Sequence, residues 1–278
     1  AGTLYHNTPV TIISIGTAHN IAQAYKHSSS QKRFRKGLKM IYKGGGAIGA
    51  EVKINGAVVP TNFQIQGNLL NPGTFMTNND QAAWNIYADA ESMQTLFASG
   101  LPITLIPINV SREVPFTKKV YDQLVNTPNP TKITRFVSSV MLYAVNTFGG
   151  WGARRVKFWD PSTIAAALHS DIVTQRYDNI PMCANTRDKH KVLKVGDTRG
   201  YYGKKFTVPF YAFHPDNEFY HYGATLINSP YIKSSYVQSD DYALNACELL
   251  YLQPGNVTID MAINPDLFYQ SFVETLTR

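Results

Sequence analysis

The chain is short of cysteine, of acidic residues and of long apolar runs. Its 278 residues hold two cysteines, Cys183 and Cys247. Two are too few for a disulfide framework, and one bridge or two free thiols both stay open. No apolar run approaches the roughly 18 residues that cross a bilayer, so no membrane span is expected. No charged segment followed by an apolar stretch opens the chain, so no signal peptide is visible; the start at Ala1, without Met, points to a processed or incomplete chain. Asp and Glu number 19 against 26 Lys and Arg, a net charge of +7. Zinc-finger spacing, heptads and aromatic RNA-binding motifs are all missing, so nucleic acid is not an expected partner. Ser-His-Asp, CxxC, HExxH, P-loop and GxGxxG patterns are absent too, which removes the commonest hydrolase, redox, zinc and nucleotide signatures.

What is present is a globular composition, 44% hydrophobic and 16% charged, long enough for one large domain. With no linker and no internal repeat, residues 1–278 read as part of a single domain. The basic excess gathers in Lys32-Arg33-Phe34-Arg35-Lys36, which reads as a solvated turn between a helix and a strand. The sequons Asn109-Val110-Ser111 and Asn256-Val257-Thr258 lean weakly towards a secreted glycoprotein.

Periodicity divides the chain. Pro9–Ile15 is rich in β-branched residues and reads as a buried strand, and Asn20–Ser28 as a helix. Leu38–Tyr42 is a second strand, stopped by Gly44-Gly45-Gly46. Residues 47–82 lack a helical period. Asp89–Ser99 is an amphipathic helix closed by Gly100, followed by a strand over Pro102–Ile108. Helices are expected over Phe116–Val125, Lys132–Tyr143 and Pro161–Leu168, strands over Phe206–Phe213 and Val257–Ile263, and a last helix over Asp266–Leu276. Alternation at this spacing predicts a mostly parallel α/β sheet with helices on both faces. Such sheets bind ligands beyond the carboxyl ends of their strands. Candidates there are His19, in a turn, as ligand or packing residue; Lys43 and the glycine triplet, as ligand loop or plain turn; and Asp160, as metal ligand or helix N-cap.

Asn85-Ile86-Tyr87-Ala88-Asp89-Ala90-Glu91, followed by Ser99-Gly100-Leu101-Pro102-Ile103-Thr104-Leu105, resembles the inosine–uridine nucleoside hydrolase family, whose pattern is AEFNIxxDPEAA and then SGIPxTxVPLD. In family order, Val10–Asn20 resembles a strand and GPLTN turn, Met40–Ala47 a VMGGA strand and turn, and Gly67-Asn68 a GN pair. Phe158–Ala166 resembles a late helix opening with HDP or WDP, the WDP form being closest to plant-type and other eukaryotic members. The resemblance covers roughly residues 9–170. It implies a nucleoside-hydrolase-like, Rossmann-like fold, hydrolysis of an N-glycosidic bond, and a calcium ion that activates water and holds the ribose. Position by position it implies Asp160 and the backbone of His19 as calcium ligands. It further implies Asn85, with Asn68 or Asn79, as ribose contacts, and Trp159 beside them as a substrate contact.

The same resemblance exposes departures. The family's first-strand acidic motif, D-x-D-x-x-x-D-D, is absent, and the chain begins at about the family's fourth strand. The ribose-binding glutamate is Ala83, the methionine before the glycines is Lys43, and the aspartate of PLD is Asn109. If Lys43 points inward, it repels a metal; if it snorkels out, Asn79 or Asp80 is left to replace the lost glutamate. The expectation is a degenerate, inactive, binding or structural protein that pairs with an N-terminal fragment of the same domain and forms homo- or hetero-oligomers. The alternative is a calcium-dependent nucleoside hydrolase whose aspartates come from that N-terminal chain.

Overall fold

The computed structural model describes residues 8–27, 31–54, 57–60, 83–152, 156–180, 182–184 and 257–278, with short strands between 192 and 234. Five strands make the main sheet: β1 Val10–Ser14, β2 Leu38–Gly44, β3 Ile103–Ile106, β4 Val173–Ile180 and β5 Val257–Ile263, in spatial order β1-β2-β3-β5-β4. The first four in that order run parallel, and β4 closes the edge antiparallel to β5. The fold is therefore the expected α/β one.

Nine helices are described: α1 His19–His27, α2 Gln31–Lys36, α3 Trp84–Tyr87, α4 Ala90–Ala98, α5 Ile108–Glu113, α6 Lys118–Val125, α7 Lys132–Phe148, α8 Trp159–Leu168 and α9 Pro265–Thr277. They cover both faces because successive strand residues point to opposite sides. Ile41, Ile103, Leu105 and Ile259 meet Ala22 and Tyr25 of α1 and Met93, Leu96 and Phe97 of α4 in one core. Ile106 and Ile263, with half-buried Tyr42, meet Val120, Met141, Phe158, Ala166 and Phe268 in the other. Burial of all four β3 side chains explains why the strand is apolar but for Thr104.

The structure moves several boundaries. The strand expected over Pro102–Ile108 ends at Ile106, because Pro107 caps α5 and Val110 donates back to its carbonyl. Helix α7 continues to Phe148, where Gly149 takes a left-handed cap at φ 114°. Within 47–82, strands Ile48–Ile54 and Ala57–Pro60 pair as a hairpin. The basic run is not a solvated turn but the short helix α2. Phe34 meets Tyr25 edge-on at 5.7 Å, and Arg35 donates to the Tyr25 hydroxyl at 3.0 Å and to the Ser99 carbonyl. Of the strand expected over Phe206–Phe213, only 212–213 is described, as a strand.

Candidate functional site

The parallel strands β1 and β2 end side by side, Ser14 opposite Lys43, and their turns converge. Gly44 ends β2 under α8. A Cβ at Gly44 would stand 2.5 Å from Thr163 Oγ1, closer than real contacts allow. Gly45 and Gly46 follow with φ of 139° and 89°. Even so, pairing continues, with Gly45 N donating to the Ile106 carbonyl and Ile108 N to that of Gly46. The triplet is thus both a turn and a seat for α8. Gly44→Ala should lower stability by about 2–3 kcal/mol through overpacking. Thr163→Ala in the same chain should restore much of that loss, as read by denaturant unfolding. An undiminished loss in the double variant would place the strain elsewhere.

Lys43 lies inside this junction, fully buried. It does not snorkel. Its Nζ donates to the carbonyls of Gly16 and Gly44, each at 2.6 Å, and so ties the turn after β1 to the turn after β2. Burial pushes its pKa down to about 7, against the upward pull of the Asp160 charge. Asp160 is pushed upward by partial burial and drawn back by Lys43.

Asp160 was open to reading as an N-cap. Helix α8 instead begins at Trp159, with Phe158 as N-cap and no side-chain capping bond. Asp160 occupies the first turn, is exposed, and favours the helix dipole from there. Asn85, the second residue of α3, donates its side-chain amide to the Ile15 carbonyl at 2.9 Å and to that of Gly44 at 3.1 Å. Ala83 is 1% exposed and packs with Ala47 and Ile108, with half-buried Trp159 against them.

His19 faces elsewhere. Its Nδ1 lies 2.8 Å from Asp89 Oδ2, while Asp89 Oδ1 accepts from Ser92 N and caps α4. Burial pushes the Asp89 carboxyl up, and the hydrogen bonds from Ser92 and His19 outweigh it and hold it below the usual range. The backbone of His19 is already in α1, where carbonyls point along the helix. Asn109 is buried within α5. Asn68, Asn79, Asp80, Cys247 and Asn256 lie outside the described residues, as does the side chain of Cys183.

The junction therefore gathers Lys43, Asn85 and Asp160 with the carbonyls of Ile15, Gly16 and Gly44. It leaves the His19 side chain on Asp89. Among the described residues no three His, Cys, Asp or Glu side chains converge. The described residues alone do not make up the 6–8 oxygens that a calcium ion takes. Here an amino group occupies two of the oxygens on offer, and Asp160 is the sole carboxylate at the junction among the described residues. Sequence reading missed Thr163. The signal available was its three-residue spacing from Asp160, which puts both on one side of α8.

A mostly parallel sheet covered by helices, with a polar junction at its strand ends, defines an α/β protein. The family model for inosine-uridine preferring nucleoside hydrolase matches residues 3–221, and the chain belongs to that family. It is 25% identical over 166 residues to nucleoside hydrolase 3 of Arabidopsis thaliana, covering 58% of this chain and 18% of that protein. Its fold is similar to a purine-preferring ribonucleoside hydrolase from Gardnerella vaginalis at TM-score 0.57 and 17% identity, covering 96% of this chain and 60% of that one. It is likewise similar to an inosine-uridine preferring nucleoside hydrolase from Bacillus anthracis at TM-score 0.55 and 16% identity, covering 99% and 62%. The chain thus spans about three fifths of the solved structures and under a fifth of the plant relative.

Proposed function

We propose that this chain is a nucleoside-hydrolase-like domain that has lost hydrolysis and serves as a binding or structural unit. The observation that carries the reading is Ala83. Where the resemblance sets a ribose-binding glutamate, a buried methyl packs on Ala47 and Ile108. Cleaving an N-glycosidic bond builds positive charge on the sugar, and negative groups must be preorganised around it. The Ala47–Ala83–Ile108 cluster under the Trp159 ring offers such a sugar no negative charge. Asn85 adds to this, since both its amide hydrogens are spent on backbone carbonyls.

A second reading draws on Asp160. It is exposed and free of any capping role, so carboxylates from an N-terminal segment of the same domain could join it. In that reading such a segment is the partner, and calcium and hydrolysis come with it. Secretion rests on Asn256 alone, since the buried Asn109 offers no site for a glycan.

The test is base release from inosine, uridine and adenosine by the full protein that contains this chain. The expected result is none above the uncatalysed rate. Turnover of about 1 per second, ordinary for enzymes, would overturn the non-hydrolytic reading.

A further inference from the structure

We propose that the Lys43 amino group stands in for a metal ion at the strand ends, so that the Gly16 and Gly44 carbonyls are held without calcium and are denied to an ion beside Asp160. The inference concerns how the site described above is held together, and it stands whether or not the protein hydrolyses nucleosides.

The geometry carries it. Calcium binds oxygen at about 2.3–2.6 Å. Lys43 Nζ already lies 2.6 Å from both Gly16 O and Gly44 O. An ion touching those two carbonyls would need the volume the nitrogen fills. The exclusion is steric and holds in either protonation state, because a neutral amine still has two N–H groups for two carbonyls. In the ammonium form, charge repulsion adds to it.

The nitrogen also does what a bridging ion does. It cross-links the turn after β1 to the turn after β2 and sets a positive group against Asp160. Asn85 supplies a second donor to Gly44 O, so that carbonyl is served from two sides without any ion. Burying a lysine side chain costs several kcal/mol unless its donors are met. Here they are met by backbone oxygens that strand ends leave without sheet partners.

The test is calorimetric titration of the EGTA-dialysed full protein with calcium chloride to millimolar concentration, alongside thermal unfolding. The wild type is expected to show no saturable heat that depends on Asp160 and no calcium-dependent shift from this junction. Lys43→Met, which frees both carbonyls, is expected to gain a calcium-dependent rise in melting temperature. Lys43→Gln, which keeps an N–H2 donor group on a side chain one atom shorter, is expected to stay silent.

One-to-one calcium binding by the wild type that Asp160→Asn abolishes would overturn the proposal. So would a folded Lys43→Met protein as indifferent to calcium as the wild type. Binding that survives Asp160→Asn lies elsewhere and leaves the proposal standing. A silent wild type whose Lys43 variants both fail to fold supports the nitrogen as the tie between the two turns. Nucleoside turnover in EGTA would end the non-hydrolytic reading and support this one. Turnover dependent on calcium and on Asp160 would end both.

Discussion

Between pH 7 and pH 10 the wild-type protein should gain roughly 3–4 kcal/mol of stability relative to Lys43→Met. The Lys43 amino group titrates near 7 in the folded chain and near its ordinary 10.5 when unfolded. Between those values the unfolded chain holds a proton that the folded chain has released, so unfolding takes up a proton. Raising the pH makes that uptake harder and favours the fold, by about 1.4 kcal/mol per unit in the middle of the window. The contribution is complete above the unfolded value and is lost as the pH falls through 7. Subtracting the methionine variant removes the other titrating groups. Guanidinium unfolding of both proteins at unit pH steps reads the difference. Parallel curves would mean that Lys43 reaches solvent.

Truncating Arg176 should cost about 3 kcal/mol. Arg176 of β4 and Asp260 of β5 are cross-strand partners, with Nε 2.7 Å from one carboxylate oxygen and Nη2 3.1 Å from the other. The Asp260 side chain is fully buried, while that of Arg176 is 38% exposed. Removing one member of a buried pair strands the other charge, at a cost of about 3–5 kcal/mol. The exposed flank of Arg176 lets water relieve part of that, which places the estimate at the lower end. Burial already pushes the Asp260 carboxyl upward despite the arginine. Arg176→Ala should therefore regain stability as the pH falls and the acid takes a proton, and adding Asp260→Asn should recover most of the loss at neutral pH. A loss below about 1 kcal/mol in chemical denaturation would show that water reaches Asp260 without the arginine.

The sheet and its helices were legible because hydrophobic period and turn residues are local. The strand at Ile103–Ile106 announced itself by a short β-rich run within Pro102–Ile108, and α9 by its amphipathic spacing over Asp266–Leu276, while its Asn264 cap and Pro265 start came from the structure. The family was legible from the spacing of the Asn85 and Ser99 segments. The junction was legible only in outline. Its position followed from the strand-end rule, and Lys43 and Asp160 were singled out. What sequence could not supply was direction. Lys43 turned in rather than out, because the Gly16 carbonyl, 27 residues back, and that of its neighbour Gly44 both accept from it. His19 turned away because Asp89, 70 residues on, took its ring. The helix α2 hid in a charged run because Phe34 and Arg35 find Tyr25 and Ser99 only once α1 and α4 are in place.

The place of β5 has a consequence for the order of folding. It lies between β3 and β4, so Ile103 waits for a partner, Val257, that is more than 150 positions away. Strand β4, made some 80 residues earlier than β5, pairs among the described residues of the main sheet through β5 alone. Closing such long loops before any reward is entropically slow. On a ribosome, β1, β2 and β3 can assemble early as a three-stranded ribbon, but β4 stays unanchored and the hydrogen-bonding edge of β3 lacks its β5 partner until residues 257–263 emerge. The sheet is completed from its middle, and any cut upstream of residue 257 removes the strand that joins its two halves.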